Sequence, residues 1–459
     1  MEGIPDNIFR AYDIRGVVGK EIDEDVAYNI GRAFATMCKR QGLKTIAVGR
    51  DARHTGEEYA RRVCKAIVDT GLKAIDCGMI STPISYYAVF AGYADASCMI
   101  TASHNPPEFN GFKMVMDKTK LSAEQIQDIK NMIIEEDYDK GVGTITTKDV
   151  QSKYISSIIA DIKAERKLRI VIDSGNGTGG MALPKILLEK GHEIIELYCD
   201  PDGSFPNHHP DPTEIESLED IRQKVLETKA DLGIALDGDA DRLAIIDEKG
   251  NAYWGDSVAG VFARDILKEN KGKIVYDVKC SLALKDAILG NRGIPIESRT
   301  GHTFISLRIK EEGALLGGEM TGHIYFNDRY YGFDDAIYSG ARMAELLSLT
   351  DKKASEHFIK SPYVTSPEVK VHVSDDNKFM IMDDLLKLAK TIYPQVIDID
   401  GIKIYTEQGW FLIRASNTQP ALIFRAEGKS EEELEALKSE AEKRLNSLLS
   451  KHGEKTIRL

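Results

Sequence analysis

The sequence predicts an α/β protein: three related α/β domains with mixed sheets, then a smaller C-terminal α+β domain. Three observations predict it. The chain has 459 residues, more than one hydrophobic core usually serves. A strand–helix–strand pattern recurs three times, starting near residues 44, 168 and 272. After residue 366 the pattern changes to strands and a long closing helix.

Each repeat opens on a short apolar strand: KTIAVGRD (44–51), LRIVIDSG (168–175) and GKIVYDVK (272–279). A helical stretch follows and ends near a glycine that leads into a second strand: TGLKAIDCG (70–78), KGHEIIELY (190–198) and NRGIPIES (291–298). This is the βαβ unit, with glycines expected to cap the helices. Three copies imply three related domains. The last stretch holds strands GWFLIRAS (409–416) and ALIFRAEG (421–428), and Ser430 with Glu433 makes a capping box for the closing helix. KSPYVTSPEV (360–369) lacks a period and reads as the linker before it. The expected domains are 1–150, 151–252, 253–365 and 366–459.

The formal net charge is -13. Such a chain repels nucleic acid and anionic membranes. It binds a small phosphorylated ligand only by gathering cations in one place. Six scattered cysteines without C-x-x-C point to core residues in a reducing compartment, with neither a disulfide frame nor a zinc cluster. The start MEGIPDNIFR has no apolar signal region, and no run of eighteen apolar residues occurs. A cytoplasmic protein without a membrane span is expected.

Four motifs carry chemistry. In TASHNPPEFNGFK (101–113) an apolar run enters a proline-stiffened turn, which would hold Ser103 rigidly enough for a nucleophile. An ordinary Asn-Pro turn is the bland alternative. In DGDADR (237–242), Asp237, Asp239 and Asp241 alternate between two apolar strands. Crowded carboxylates repel unless a hard cation such as magnesium neutralises them. An EF-hand is disfavoured, because Arg242 stands where its glycine belongs and the flanks read as strands. A solvated acidic turn is the other alternative. In GGEMTGHIYF (317–326), Glu319, Thr321 and His323 alternate; in an extended segment they share one side and could grip sugar hydroxyls. An edge strand with incidental polar groups remains the alternative. In RASNTQP (414–420), Arg414 offers a bidentate fork, and Ser416, Asn417 and Thr418 offer further donors for an anion. A polar hairpin loop is the alternative.

In this order TASHNP, DGDADR, GEMTGH and RASNTQP resemble the four signature loops of the α-D-phosphohexomutase superfamily. The match is nearest to its bacterial and archaeal phosphomannomutase/phosphoglucomutase branch. It spans the whole chain, with FRAYDIRG (9–16) also fitting. The resemblance implies four domains around one central cleft. It implies that Ser103 carries a phosphoryl group and that Asp237, Asp239 and Asp241 bind one Mg²⁺ together with Ser103's phosphate. Glu319 and Thr321 would hold sugar hydroxyls. Arg414, Ser416, Asn417 and Thr418 would hold the non-reacting phosphate. Arg15, Lys113, His302 and His323 would line the catalytic centre; Tyr12, Lys279, Arg10 and Arg242 are further assignments. Thr321 replaces the serine of many relatives, which adds a methyl group beside the sugar. Met320 resembles the hexose-phosphate branch, where glucosamine-phosphate enzymes often carry Gln.

The implied reaction interconverts hexose 1-phosphate and 6-phosphate (mannose or glucose) through phospho-Ser103 and a hexose 1,6-bisphosphate. His323 or Lys113 would manage the hydroxyl proton. The expected partner is a phosphosugar, and the expected assembly is a monomer or homodimer. Three alternatives stand beside this. One is a phosphoglucosamine mutase. Another is a phosphatase with Asp237 as nucleophile. The third is a protein that binds calcium or a sugar phosphate without turnover.

Overall fold

A computed structural model describes residues 4–10, 12–358, 360–416 and 420–459. The three repeats form sheets of one topology. In the first, strand Thr45–Arg50 lies between Lys73–Met79 and Ala96–Ile100, parallel to both, and Phe109–Met116 adds antiparallel. In the second, Arg169–Asp173 lies parallel between Glu193–Leu197 and Leu232–Leu236, and Leu243–Asp247 adds antiparallel. In the third, Lys273–Asp277 lies parallel between Ile294–Ser298 and Leu316–Gly318, and Ile324–Phe326 adds antiparallel. Each sheet is therefore mixed, with the order second, first, third, fourth. Parallel strands need helical crossovers, which cover both faces. Hence strands such as Leu232–Leu236 are buried at every residue.

The third and fourth strands of each unit are joined by a short connection. Those three connections are residues 101–108, 237–242 and 319–323. They hold the first three motifs. The fourth domain places the last motif in the same kind of position, between antiparallel strands Gly409–Ala415 and Ala421–Gly428.

The structure differs from the sequence reading at four places. Glu319–His323 is not extended: Gly322 adopts φ +97°, and its N–H closes a tight turn on the Glu319 carbonyl at 3.1 Å. The expected linker 360–369 contributes strand Val364–Thr365 and leads into strand Val369–His372, both paired with Ala421–Gly428. In the third repeat Arg292, rather than the following glycine, takes the left-handed backbone at φ +61°. The capping box of the last helix is half made, with Ser430 Oγ accepting from Glu433 N at 3.2 Å.

One apolar cluster runs through all three α/β units, from Ala47 through Ile234 to Phe358. The fourth domain has its own, built from its strands and the helices Asp375–Ile392 and Glu431–Lys451. Among the described residues no helix is long and apolar enough to cross a membrane.

Candidate active site

Ser103 sits just past strand Ala96–Ile100, buried, with a left-handed backbone at φ +52°. The conformation is held from beneath. Arg53, fully buried, donates to the carbonyls of Ser103 at 2.9 Å, Pro106 at 2.6 Å and Phe109 at 2.8 Å, and also to that of Asn105. Asp51 pairs with Arg53 at 3.2 Å and accepts from Thr101 Oγ1 at 2.6 Å; Thr101 Oγ1 in turn takes Ser103 N at 2.8 Å. Arg53 and Asp51 were not singled out from sequence. Asp51 closes the apolar strand KTIAVGRD (44–51), and no motif marks Arg53.

The Ser103 hydroxyl donates to Asp237 Oδ2 at 2.8 Å. This joins the first connection to the second. Asp237, Asp239 and Asp241 are inaccessible, and one ligand atom from each lies within 4.8 Å of the others. Asp237 Oδ1 accepts Asp241 N at 3.0 Å and Arg242 N at 3.1 Å. Lys113 Nζ bridges Asp239 Oδ2 and Asp241 Oδ2, both at 2.6 Å, and Thr82 Oγ1 donates to Asp239 Oδ2 at 2.6 Å. Burial and the two neighbouring carboxylates push the Asp237 carboxyl well up. Burial also raises Asp241, but the Lys113 ammonium foremost outweighs it and leaves it at about 2. Burial opposes the Lys113 charge, yet the aspartates overcome that and hold its ammonium protonated.

A cation fits this loop on an observation of its own. Asp239 Oδ1 and Asp241 Oδ1 are buried oxygens with no hydrogen-bond partner. A buried acceptor left so costs free energy unless something electropositive meets it. Three carboxylates are a hard-oxygen donor set suited to Mg²⁺.

His104 Nδ1 lies 3.0 Å from Ser103 Oγ, an arrangement absent from the sequence reading although the residue is adjacent. Arg15 donates to the Asn105 side chain and pairs with Asp13. From the third connection, His323 Nε2 accepts Arg242 Nε–H at 3.0 Å. Glu319 faces inward, taking Gly301 N at 2.9 Å and the Tyr325 hydroxyl. The turn thus aims Glu319 and His323 at the centre, while Thr321 lines a cleft of about 850 Å³ together with Lys279, Met320 and Arg425. Lys279 lies 3.5 Å from Glu368. The His302 ring stands 5.9 Å from those of His323 and of Tyr12.

Tyr12 donates to the Thr300 carbonyl at 3.1 Å, and Thr300 N donates to Asp400 Oδ2 at 3.1 Å. Arg414 pairs with the same Asp400 oxygen at 3.1 Å. Ser416 is buried, with N donating to Ala421 O at 2.9 Å. Asn417 and Thr418 lie outside the described residues. The site therefore has a buried carboxylate and serine centre and, in the fourth domain, a separate guanidinium.

The chain matches the phosphoglucomutase/phosphomannomutase family in four consecutive stretches: alpha/beta/alpha domain I at 6–140, domain II at 152–250, domain III at 254–363 and the C-terminal domain at 368–444. It is 42% identical over 439 residues to a phosphomannomutase/phosphoglucomutase of Pseudomonas aeruginosa, covering 95% of each. It is 38% identical over 446 residues to a phosphoglucomutase of Neisseria meningitidis, covering 96% of this chain and 97% of that one. A crystal structure of a family protein from Burkholderia thailandensis superposes with a TM-score of 0.93 at 36% identity, covering 98% and 99% of the two chains.

Proposed function

Because the chain belongs to the phosphoglucomutase/phosphomannomutase family, we infer that it interconverts hexose 1-phosphate and hexose 6-phosphate, with mannose or glucose as the sugar. The observation that carries this is the Ser103 hydroxyl, buried and donated to Asp237 among three carboxylates and one ammonium. That arrangement suits a phosphoserine. Phosphoryl transfer is mainly positioning and charge neutralisation.

Ser103, Asp237, Asp239 and Asp241 would hold one Mg²⁺ per chain, which would offset charge on the phosphoryl oxygens. The chain's own groups do the rest. The phosphoryl leaves Ser103 Oγ, which takes up a proton, as its bond to the sugar's 6-oxygen forms, giving a hexose 1,6-bisphosphate, and the 6-hydroxyl proton passes to a basic side chain. After the bisphosphate turns over, the bond from phosphorus to the 1-oxygen breaks and the bond to Ser103 Oγ re-forms, the serine giving up its proton and the 1-oxygen taking one. Lys113, kept cationic, neutralises charge rather than accepting the proton; this leaves His323, once Arg242 releases its Nε2. Arg414 and Ser416, with Asn417 and Thr418, receive the idle phosphate. Glu319, Thr321, Lys279 and Tyr12 face the sugar, and Arg15 braces the serine loop through Asn105.

We propose cytoplasmic localisation, a monomer or homodimer, and domain divisions at 150, 252 and 365. The phosphatase alternative fits poorly, since both oxygens of Asp237 are committed to Ser103, Asp241 N and Arg242 N. Met320 supports a hexose phosphate over glucosamine phosphate.

A ³¹P NMR time course with glucose 1-phosphate or mannose 1-phosphate, Mg²⁺ and a trace of glucose 1,6-bisphosphate tests this. The 6-phosphate signal should grow without free phosphate, and Ser103→Ala should lose at least ~10³-fold in rate. Release of inorganic phosphate, or full activity in Ser103→Ala, would overturn the reading.

A further inference from the structure

Lys120 follows strand Phe109–Met116 in the first domain, in the two-residue strand Thr119–Lys120. Its side chain is buried, 4.7 Å from the Tyr86 ring. It reaches across to the third domain, where Nζ pairs with Asp334 Oδ1 and lies 3.0 Å from His302 Nδ1. We propose that Lys120 is a positioning residue that holds His302 in its Nε2–H tautomer, so that the ring can offer a bound phosphosugar only a hydrogen-bond donor at Nε2.

The argument is one of donors and acceptors. Burial lowers the Lys120 pKa, but the Asp334 carboxylate it pairs with opposes this and favours the ammonium, which has only N–H groups to offer. One goes to Asp334, and the group facing His302 requires a lone pair on Nδ1. A neutral imidazole then carries its proton on Nε2. Burial, reinforced by the charges of Lys120 and Lys113, draws the His302 pKa well below its ordinary value, which keeps the ring neutral. Among the described residues none hydrogen-bonds Nε2.

His323 is set the opposite way. Its Nδ1 faces the Asp241 backbone carbonyl at 3.1 Å, an acceptor, so Nδ1 carries the proton. Asp334 Oδ2 lies 3.1 Å from the same nitrogen as an ion-pair contact, out of line for a hydrogen bond. His323 Nε2 accepts from Arg242 at 3.0 Å. Two imidazoles with ring centres 5.9 Å apart thus hold opposite tautomers, His302 set by Lys120 and His323 by the Asp241 carbonyl. His302 keeps an N–H on Nε2 that meets no acceptor among the described residues. The lone pair of His323 is occupied for as long as Arg242 stays. The group that orders His302 belongs to another domain, so this setting exists only where the first and third domains meet.

The catalytic consequence rests on the mutase reading; the tautomer does not. The test is long-range ¹H–¹⁵N NMR of the full-length protein labelled with ¹⁵N-histidine, with His302 assigned by comparison with His302→Asn. The wild-type protein should show a protonated Nε2 and a bare Nδ1 at His302. Lys120→Met should populate the Nδ1–H form and lower kcat by roughly ten- to a hundredfold with a smaller change in KM. Lys120→Arg, which keeps the cationic donor, should restore the tautomer and most of kcat. A wild-type His302 protonated on Nδ1 overturns the proposal whatever the variants do. So does Lys120→Met with tautomer and kcat both unchanged. An Nε2–H signal in a protein without mutase turnover would uphold the tautomer setting and sink the mutase reading.

Discussion

A serine with positive φ carries a backbone cost of about 1 kcal/mol or more. At Ser103 that cost is offset by a buried arginine gripping the loop's carbonyls. The loop then presses on its neighbour. A Cβ added at Gly238 would stand 2.7 Å from the Ser103 carbonyl oxygen, which Arg53 already holds. Gly238→Ala should therefore displace Ser103 relative to Asp237 and lower kcat at least ~10-fold, since an ångström of misplacement is costly, with a stability loss of about 1–3 kcal/mol. Wild-type kcat beside a lowered Tm would show that the loop yields without moving the hydroxyl. The sequence exposes the three aspartates because apolar strands bracket them, and Ser103 only through the order in which TASHNP and the other three loops occur. It hides Arg53, Lys120 and Asp334, whose partners are distant: Lys120 and Asp334 are 214 positions apart. No local pattern marks a lysine that crosses between domains.

The connection between the third and fourth strands is where each repeat becomes chemical. The strand–helix–strand periodicity is legible because helices and strands have different apolar periods. That the three motifs occupy one topological position is not, since it depends on strand order. The third connection looks extended in sequence because its alternate polar residues satisfy a strand pattern, whereas Gly322 permits a turn that only the structure reveals. Helix Ala336–Ser348 shows another element-level device. Its N-cap, Asp335, accepts from Tyr338 N at 2.8 Å and from the hydroxyls of Tyr154 at 2.8 Å and Tyr330 at 2.9 Å. Burial nonetheless raises its carboxyl from 3.8 to about 7. The folded state then binds the proton more tightly than the unfolded one. Its stabilising contribution is complete below about pH 3.8 and is lost as the pH rises to about 7, at roughly 1.4 kcal/mol per pH unit. Asp335→Asn cannot ionise, so the wild-type Tm should fall relative to the variant's between pH 5 and pH 7. Parallel Tm profiles would mean that Asp335 ionises in the fold without cost.

At the scale of the molecule, a chain with net charge -13 brings Arg15, Lys113, Lys120 and Arg242 to one buried centre, each against a carboxylate or an imidazole. The three α/β units share one apolar cluster, but the fourth domain, which brings Arg414, has its own. Its junction with the third domain is a small cluster of Val278, Tyr405, Trp410 and Leu412, with a polar tie beside it. Lys403 is 1% exposed and donates to Glu297 Oε1 at 3.0 Å, and the Tyr405 hydroxyl donates to the same oxygen. Removing one partner of such a pair leaves the other charge buried and unmatched, at a cost of roughly 3–5 kcal/mol. The fourth domain has a core of its own, so that loss should fall on its docking rather than on its folding. Glu297→Gln should speed proteolytic cleavage within residues 360–369 and raise KM for the phosphosugar more than it lowers kcat. Adding Lys403→Met to it should recover much of both, because the stranded ammonium is gone. If Glu297→Gln changes neither cleavage nor KM, the apolar cluster alone holds the fourth domain against the cleft.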